Sequence, residues 1–164
     1  MAEDTVWDTE KGELRISGQR HTAMDAQTLC NFLDSLVGTQ VAEVIMHNLE
    51  FRLGKLDAAR LKAEKGKASL TELIEHLTRT DRLSGIGITK VIMSGNPQNS
   101  IEIEVTNPSV KGPTGAAKSF IFAWWAGVLT SLFDKEFDVN GATYSEEKNM
   151  STARMSPRVT MSNE

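Results

Sequence analysis

The stretch Ser119-Phe-Ile-Phe-Ala-Trp-Trp-Ala-Gly-Val-Leu-Thr-Ser-Leu-Phe133 carries no charge and is apolar on nearly every side when wound at helical period. A helix apolar all round has no face to give to water and must be surrounded by protein. Ile121, Trp125, Val128 and Leu132 form one stripe and Phe122, Leu129 and Phe133 a second, while Ala116, Ala123 and Gly127 make a seam of small residues. Such a seam admits the backbone of a neighbouring element. Residues 120–133 are too short and too interrupted for a bilayer, which needs about 20 apolar residues. The expectation is a central core helix with no transmembrane segment, so the rest of the chain must supply its covering.

The chain has the means to do so. Its 164 residues, 40% hydrophobic, fit a single domain spanning 1–164. A net charge of -4 and the absence of any Lys/Arg run argue against nucleic acid, whose binding draws on neutralised phosphates. Cys30 is the single cysteine, which leaves no internal disulfide and points to a reducing, cytoplasmic setting. The acidic beginning MAEDTVWDTEKGE lacks the basic-then-apolar order of a signal peptide.

Periodicity supplies the elements. Val6-Trp7 and Leu14-Ile16, separated by Lys11-Gly12, suggest a small hairpin or an edge strand. Asp25 reads as an N-cap, and Leu29, Phe32, Leu33, Leu36 and Val37 repeat at helical spacing until Gly38. A second helix from Thr39 to about Lys65 carries Val41, Ile45, Leu49, Leu53 and Leu56, giving an αα-hairpin, with a further apolar stripe at Val44, Phe51 and Ala58. A helix greasy on two faces is sandwiched, inside its own domain or against a second copy. Ser69-Leu-Thr-Glu72 is a capping box that opens a third helix with Leu70, Leu73, Ile74 and Leu77 inside. Strands follow at 86–93 and 101–105 around a turn at 95–99, and the fourth helix spans about 114–133. Phe137 and Val139 begin a further strand, Asn140-Gly141 reads as a turn returning at Thr143-Tyr144, and the tail from Ser156 is expected to fray. Clustered helices and an antiparallel pair place the chain in the α+β class, an antiparallel sheet packed with about four helices, the fourth buried.

Motifs for chemistry are sparse. Residues 112–119, GPTGAAKS, resemble a phosphate-cradling loop, but Ala117 stands where a Walker A loop requires glycine before its lysine. The segment reads better as a helix start with a surface lysine. His21, His47 and His76 lie at no metal-ligand spacing, and Cys30 reads as a small buried thiol. No catalytic constellation, metal site or cofactor is indicated. Two adjacent tryptophans and neighbouring phenylalanines are, however, the side chains that line apolar ligand cavities, with plain core packing or a dimer contact as the alternative.

The segments KGELRISGQR at 11–20, the αα-hairpin from Asp25 through Gly54, and FAWWAGVLTSLF at 122–133 followed by Glu136-Phe-Asp-Val together resemble the 4-vinyl-reductase-type (4VR) domain family of predicted hydrocarbon-binding proteins, over about residues 10–158. That resemblance implies the α+β fold of the small TRAPP subunits, with a buried acyl-binding tunnel. It also implies a dimeric, non-enzymatic module for a lipophilic or small aromatic ligand. Many family members carry a metal site built with two cysteines near the C-terminus; here Ser145 and Ala153 approximate those places, so zinc is not expected.

These readings converge on a homodimeric binding or sensor module for a small lipophilic ligand, with a dimeric scaffold having a filled core as the alternative and a nucleotide enzyme using Lys118 third. A ligand is expected between the fourth helix and the αα-hairpin. Trp125 and Ile121 would line it with Val128 and Leu132; Phe122 and Leu129 would form the adjacent wall, and Phe51 or Met46 the opposite one. His47 would offer a polar contact or face solvent. Trp124 and Trp125 point about 100° apart, and the expectation is that only Trp125 faces the pocket centrally.

Overall fold

The computed structural model describes residues 5–8, 13–16, 19–21, 25–93, 100–112 and 114–158. Near the N-terminus, β1 (Thr5–Asp8), β2 (Glu13–Ile16) and β3 (Gln19–His21) form an antiparallel three-stranded sheet. The third of these strands was not anticipated from the sequence. Helices α1 (Ala26–Val37), α2 (Thr39–Lys65) and α3 (Leu70–Leu83) follow, then β4 (Ile88–Met93), β5 (Ile101–Thr106), α4 (Gly115–Phe133), β6 (Phe137–Ser145) and β7 (Met150–Pro157). The last four strands make one antiparallel sheet in the order β4-β5-β7-β6. The fold is α+β, with four helices and this sheet.

Local chemistry places most boundaries. Asp25 caps α1, its carboxylate accepting from the Thr28 N–H at 2.9 Å. At α3 the Ser69 Oγ accepts from the Glu72 N–H, and the Glu72 carboxylate accepts from the Ser69 N–H at 2.7 Å, so both halves of the capping box are made. On β5, Ile101, Ile103 and Val105 are buried and Glu102 faces out, the alternation of a sheet with one covered face. The turn expected at 95–99 lies outside the described residues.

Two expectations are corrected. Asn140-Gly141 is not a hairpin turn: β6 runs through it, with a register irregularity between Asn140 and Thr143, and the reversal falls at 146–149. Gly141, at φ +60°, supplies the left-handed residue that a bulge accommodates. The segment beginning at Ser156 does not fray at once. Ser156 and Pro157 complete β7, and the Arg158 guanidinium pairs with Asp138 at 2.7 Å and Glu136 at 2.8 Å.

Helix α4 is the core. At 19 residues it is the described helix long and apolar enough by composition to cross a membrane, yet most of it is buried against α1, α2 and the sheet. Ala123, Trp125, Ala126, Val128 and Leu129 are wholly buried. Its small-residue seam meets α2 backbone to backbone. A Cβ built on Gly54 would lie 2.0 Å from the Trp124 carbonyl oxygen, and one built on Gly127 would lie 2.0 Å from the Phe51 carbonyl oxygen.

That contact decides the orientation of α2 and differs from the periodicity reading. The inward residues of α2 are Ala42, Met46, Gly54, Ala58 and Leu61, most of them small. The larger stripe of Val41, Ile45, Leu49, Leu53 and Leu56 is exposed, as are Phe32, Leu36 and Val37 of α1. Close approach of two backbones excludes large side chains between them, so the larger apolar residues are displaced outward.

Gly54→Ala or Gly127→Ala must therefore separate two helices rather than shift a side chain. Each is expected to cost about 3 kcal/mol, the upper end of the usual overpacking range, measured by urea unfolding. Within a single chain, an alanine at the outward Leu56 should change stability by less than about 1 kcal/mol.

Candidate functional site

A mostly apolar cleft of about 210 Å³ lies where α2, the end of α3 and α4 meet. From α4 come Phe120, Ile121, Trp124 and Trp125; from α2 come Glu50, Leu53 and Asp57. Thr80, Asp81 and Ser84 at the end of α3, with Ile86 after it, complete the wall. The indoles of Trp124 and Trp125 meet edge to face, ring centroids 5.2 Å apart at 88°, a geometry favoured by the aromatic quadrupole. Their separation around the helix thus does not prevent both from bordering one cleft.

Each indole N–H is engaged by a carboxylate. Trp125 donates from Nε1 to Asp81 Oδ2 at 2.9 Å, and Trp124 donates from Nε1 to Asp57 Oδ2 at 3.0 Å. Asp81 Oδ2 also accepts from the Thr89 hydroxyl at 2.7 Å, so this buried carboxylate ties α3, β4 and α4 together. Asp57 is further paired to Arg60 at 3.3 Å on the outer side of α2.

Two carboxyls of the cleft, Asp81 and Glu50, are shifted upward. Burial pushes Asp81 up to about 6, against the opposing pull of its bonds from Thr89 and Trp125. Burial, reinforced by the Asp57 charge, pushes Glu50 up to about 7. Glu50 makes no hydrogen bond or ion pair with another described residue.

The sequence-selected residues are dispersed. Ile121 and Trp125 border the cleft, whereas Phe122, Val128 and Leu129 are buried in the main core and Leu132 packs at its edge. Phe51 stacks on His47, centroids 5.9 Å apart, and Met46 is buried in a second cluster with Cys30, Ala42, Val110 and Ala116. His47 borders a separate polar hollow with Glu43, Lys118 and Asp138, and burial lowers its pKa. Burial likewise pushes the Cys30 thiol up to about 11, away from the reactive thiolate.

The start of α4 is already satisfied from within. Asp34 accepts from the Ala116 N–H at 3.0 Å, and Lys118 Nζ is paired with Glu43 at 2.6 Å. An internal carboxylate thus takes the place of an anion at this helix terminus. No group of three or more His, Cys, Asp or Glu side chains among the described residues could hold a metal ion.

Sequence reasoning missed Glu50, Asp57, Asp81 and the participation of Trp124. Asp81 had a signal: it continues the Ile74, Leu77 stripe of α3, so an acid falls where an apolar residue is expected. Buried indoles also call for acceptors.

Four helices on an antiparallel four-stranded sheet define a fold shared with solved sensory and trafficking domains. The phenol-responsive sensory domain of the transcription activator PoxR, solved with phenol, superposes with a TM-score of 0.69 at 13% identity, over 90% of this chain and 82% of that one. A trafficking protein particle complex subunit 3 from Naegleria fowleri, covalently bound to palmitic acid, gives 0.54 at 10% identity, over 82% of this chain and 95% of that one. No family model and no curated protein matches the sequence.

Asp81 should contribute both to stability and, with Glu50, to its pH dependence. Asp81→Ala, which leaves the donors of Trp125 and Thr89 without an acceptor, is expected to cost about 2 to 5 kcal/mol. Asp81→Asn keeps an oxygen for both. Because the folded-state pKa of about 6 lies above the ordinary 3.8, the carboxyl's favourable contribution is complete below about pH 4 and is lost as pH rises through 6. Urea unfolding between pH 4 and 7 should show a decline in the wild type that Asp81→Asn reduces, the part due to the raised pKa of Glu50 remaining.

Proposed function

We propose that this chain is a non-enzymatic binding or sensor module for one small lipophilic ligand, held in the cleft of Trp124 and Trp125, and that it is a divergent member of the 4VR family. The carrying observation is the cleft itself: two indoles and the apolar sides of Phe120, Ile121 and Leu53 around about 210 Å³. Ligand sites combine a mostly apolar wall with a few placed polar groups, and here those groups are the carboxyls and hydroxyls of α2 and α3.

Size selects among ligands. An apolar cavity of about 150 Å³ suffices for benzene, so this cleft suits a single ring with a short substituent. The phenol held by the PoxR sensory domain belongs to that size class, whereas the palmitate of the trafficking subunit is far longer. Trp125 is wholly buried and serves as both wall and core, so the exposed Leu53 is the better place to block the cleft.

The module acts as a homodimer in this reading. Its support is the outward face of α1 and α2, where Leu36 is 64% and Leu56 67% exposed beside Phe32, Val41, Ile45 and Leu49. A contiguous apolar face of that kind marks an interaction surface, and an isologous dimer covers both copies of it at once.

Native mass spectrometry of the purified protein, followed by titration with single-ring aromatics under tryptophan fluorescence, should show a bound small molecule and saturable quenching. Leu53→Trp should abolish the quenching with Tm maintained; quenching that survives this block would place the ligand elsewhere. Sedimentation should give a dimer at micromolar concentration that Ile45→Asp with Leu49→Asp converts to a folded monomer, and a monomeric wild type would refute the assembly.

A further inference from the structure

The polar character of the cleft narrows the ligand further. Its ionisable lining residues are Glu50, Asp57 and Asp81, and its hydroxyls are Thr80 and Ser84; among the described residues no lysine, arginine or histidine lines it. The two indole N–H groups, the obvious donors, are already committed to Asp57 and Asp81. The Thr80 hydroxyl donates to the His76 carbonyl at 3.0 Å, so Ser84 is the lining hydroxyl with a proton to offer, and a ligand otherwise meets acceptor capacity, negative charge and aromatic π surface.

The charges are unequally balanced. Asp57 has Arg60 beside it, and Arg60 is shared at 3.8 Å with Glu64. Asp81 has its two neutral donors, Thr89 and Trp125. Glu50, half-buried on the α2 wall, has no hydrogen-bond or ion-pair partner among the described residues. Its elevated pKa has burial and the Asp57 charge as causes, which is the response of a carboxylate lacking a cation.

Resting on the ligand-binding reading above, we propose that the cleft selects a small arylalkyl amine in its protonated form, the ammonium pairing with Glu50 and the ring lying against the indoles of Trp124 and Trp125. An ammonium beside desolvated tryptophan faces gains cation–π attraction, and its N–H groups supply donors to the Glu50 carboxylate, which has no partner among the described residues. A neutral alcohol of the same shape offers one donor and no charge. A carboxylate meets Glu50 and Asp81 with like charge and finds no basic side chain. The same electrostatics disfavour a fatty acid, independently of its length.

The test uses the full chain at pH 8, where Glu50 is ionised, and three ligands of one shape: phenethylamine, 2-phenylethanol and phenylacetate. Isothermal titration should rank them in that order, the amine at least tenfold tighter than the alcohol and phenylacetate without measurable binding. Glu50→Gln should bring the amine-to-alcohol ratio below threefold. Leu53→Trp should abolish binding of the amine. If the alcohol binds as tightly as the amine and Leu53→Trp abolishes both, the cleft is a binding site but the cation selectivity is refuted. If none of the three binds, the cation proposal is refuted, and continued binding of other single-ring aromatics would leave the cleft reading standing. Amine binding that persists in Leu53→Trp, or a wild-type preference that Glu50→Gln leaves intact, also overturns the assignment.

Discussion

The contact of α2 with α4 through Gly54 and Gly127 is reciprocal: the missing Cβ of each leaves room for a carbonyl oxygen of the other helix, Trp124 in one direction and Phe51 in the other. With the two backbones this close, nothing larger than glycine or alanine fits on the facing lines, and Ala58 and Ala123 are accordingly wholly buried. The large side chains of α4 are therefore directed to the flanks. One flank carries Phe122, Val128 and Leu129 into the core shared with Ile101, Ile103 and Met155 of the sheet. The other carries Trp124 and Trp125 toward the end of α3. The same contact turns the large apolar residues of α2 away from the core. Cleft and exposed face are thus two consequences of one packing constraint.

Asp81 then fixes what the helix packing only permits. A buried carboxylate is costly unless its oxygens are bonded, and this one accepts from α4 and β4 through a single oxygen. The arrangement holds the Trp125 ring against the cleft and docks α3 to the sheet. Beside it, Glu50 remains half-buried with its pKa raised. The cleft is consequently apolar in its walls and acidic in its polar groups, a combination that gives it a sign as well as a size.

Legibility followed the range of the interaction. The capping box at Ser69-Glu72 and the Asp25 cap depend on neighbours three residues away, and both read directly from the chain. The alternation of Ile101, Ile103 and Val105 needed only a period of two. Helix α4 was evident because charge is absent from its residues 119–133. By contrast, Asn140-Gly141 has the composition of a tight turn, but its role as a bulge depends on pairing with β7, whose residues Met150–Pro157 show little apolar alternation. The inward face of α2 misread for a related reason: amplitude of hydrophobicity ranked Leu49 and Leu56 above Ala42 and Gly54, whereas proximity to α4 ranks them the other way.

By itself, then, the sequence determined the class of fold, the number and order of the main helices, and the burial of α4, because these follow from period, capping and the absence of charge within short windows. Only the tertiary structure decided which face of α2 is inside, that both indoles share one cleft, and that Glu50, Asp57 and Asp81 stand around it. Asp57 is 67 positions from the Trp124 it meets and Asp81 44 positions from Trp125, and no local pattern encodes such a meeting. The physical reason is that a small-residue contact is specified by what it excludes, and exclusion acts only once two backbones have come together.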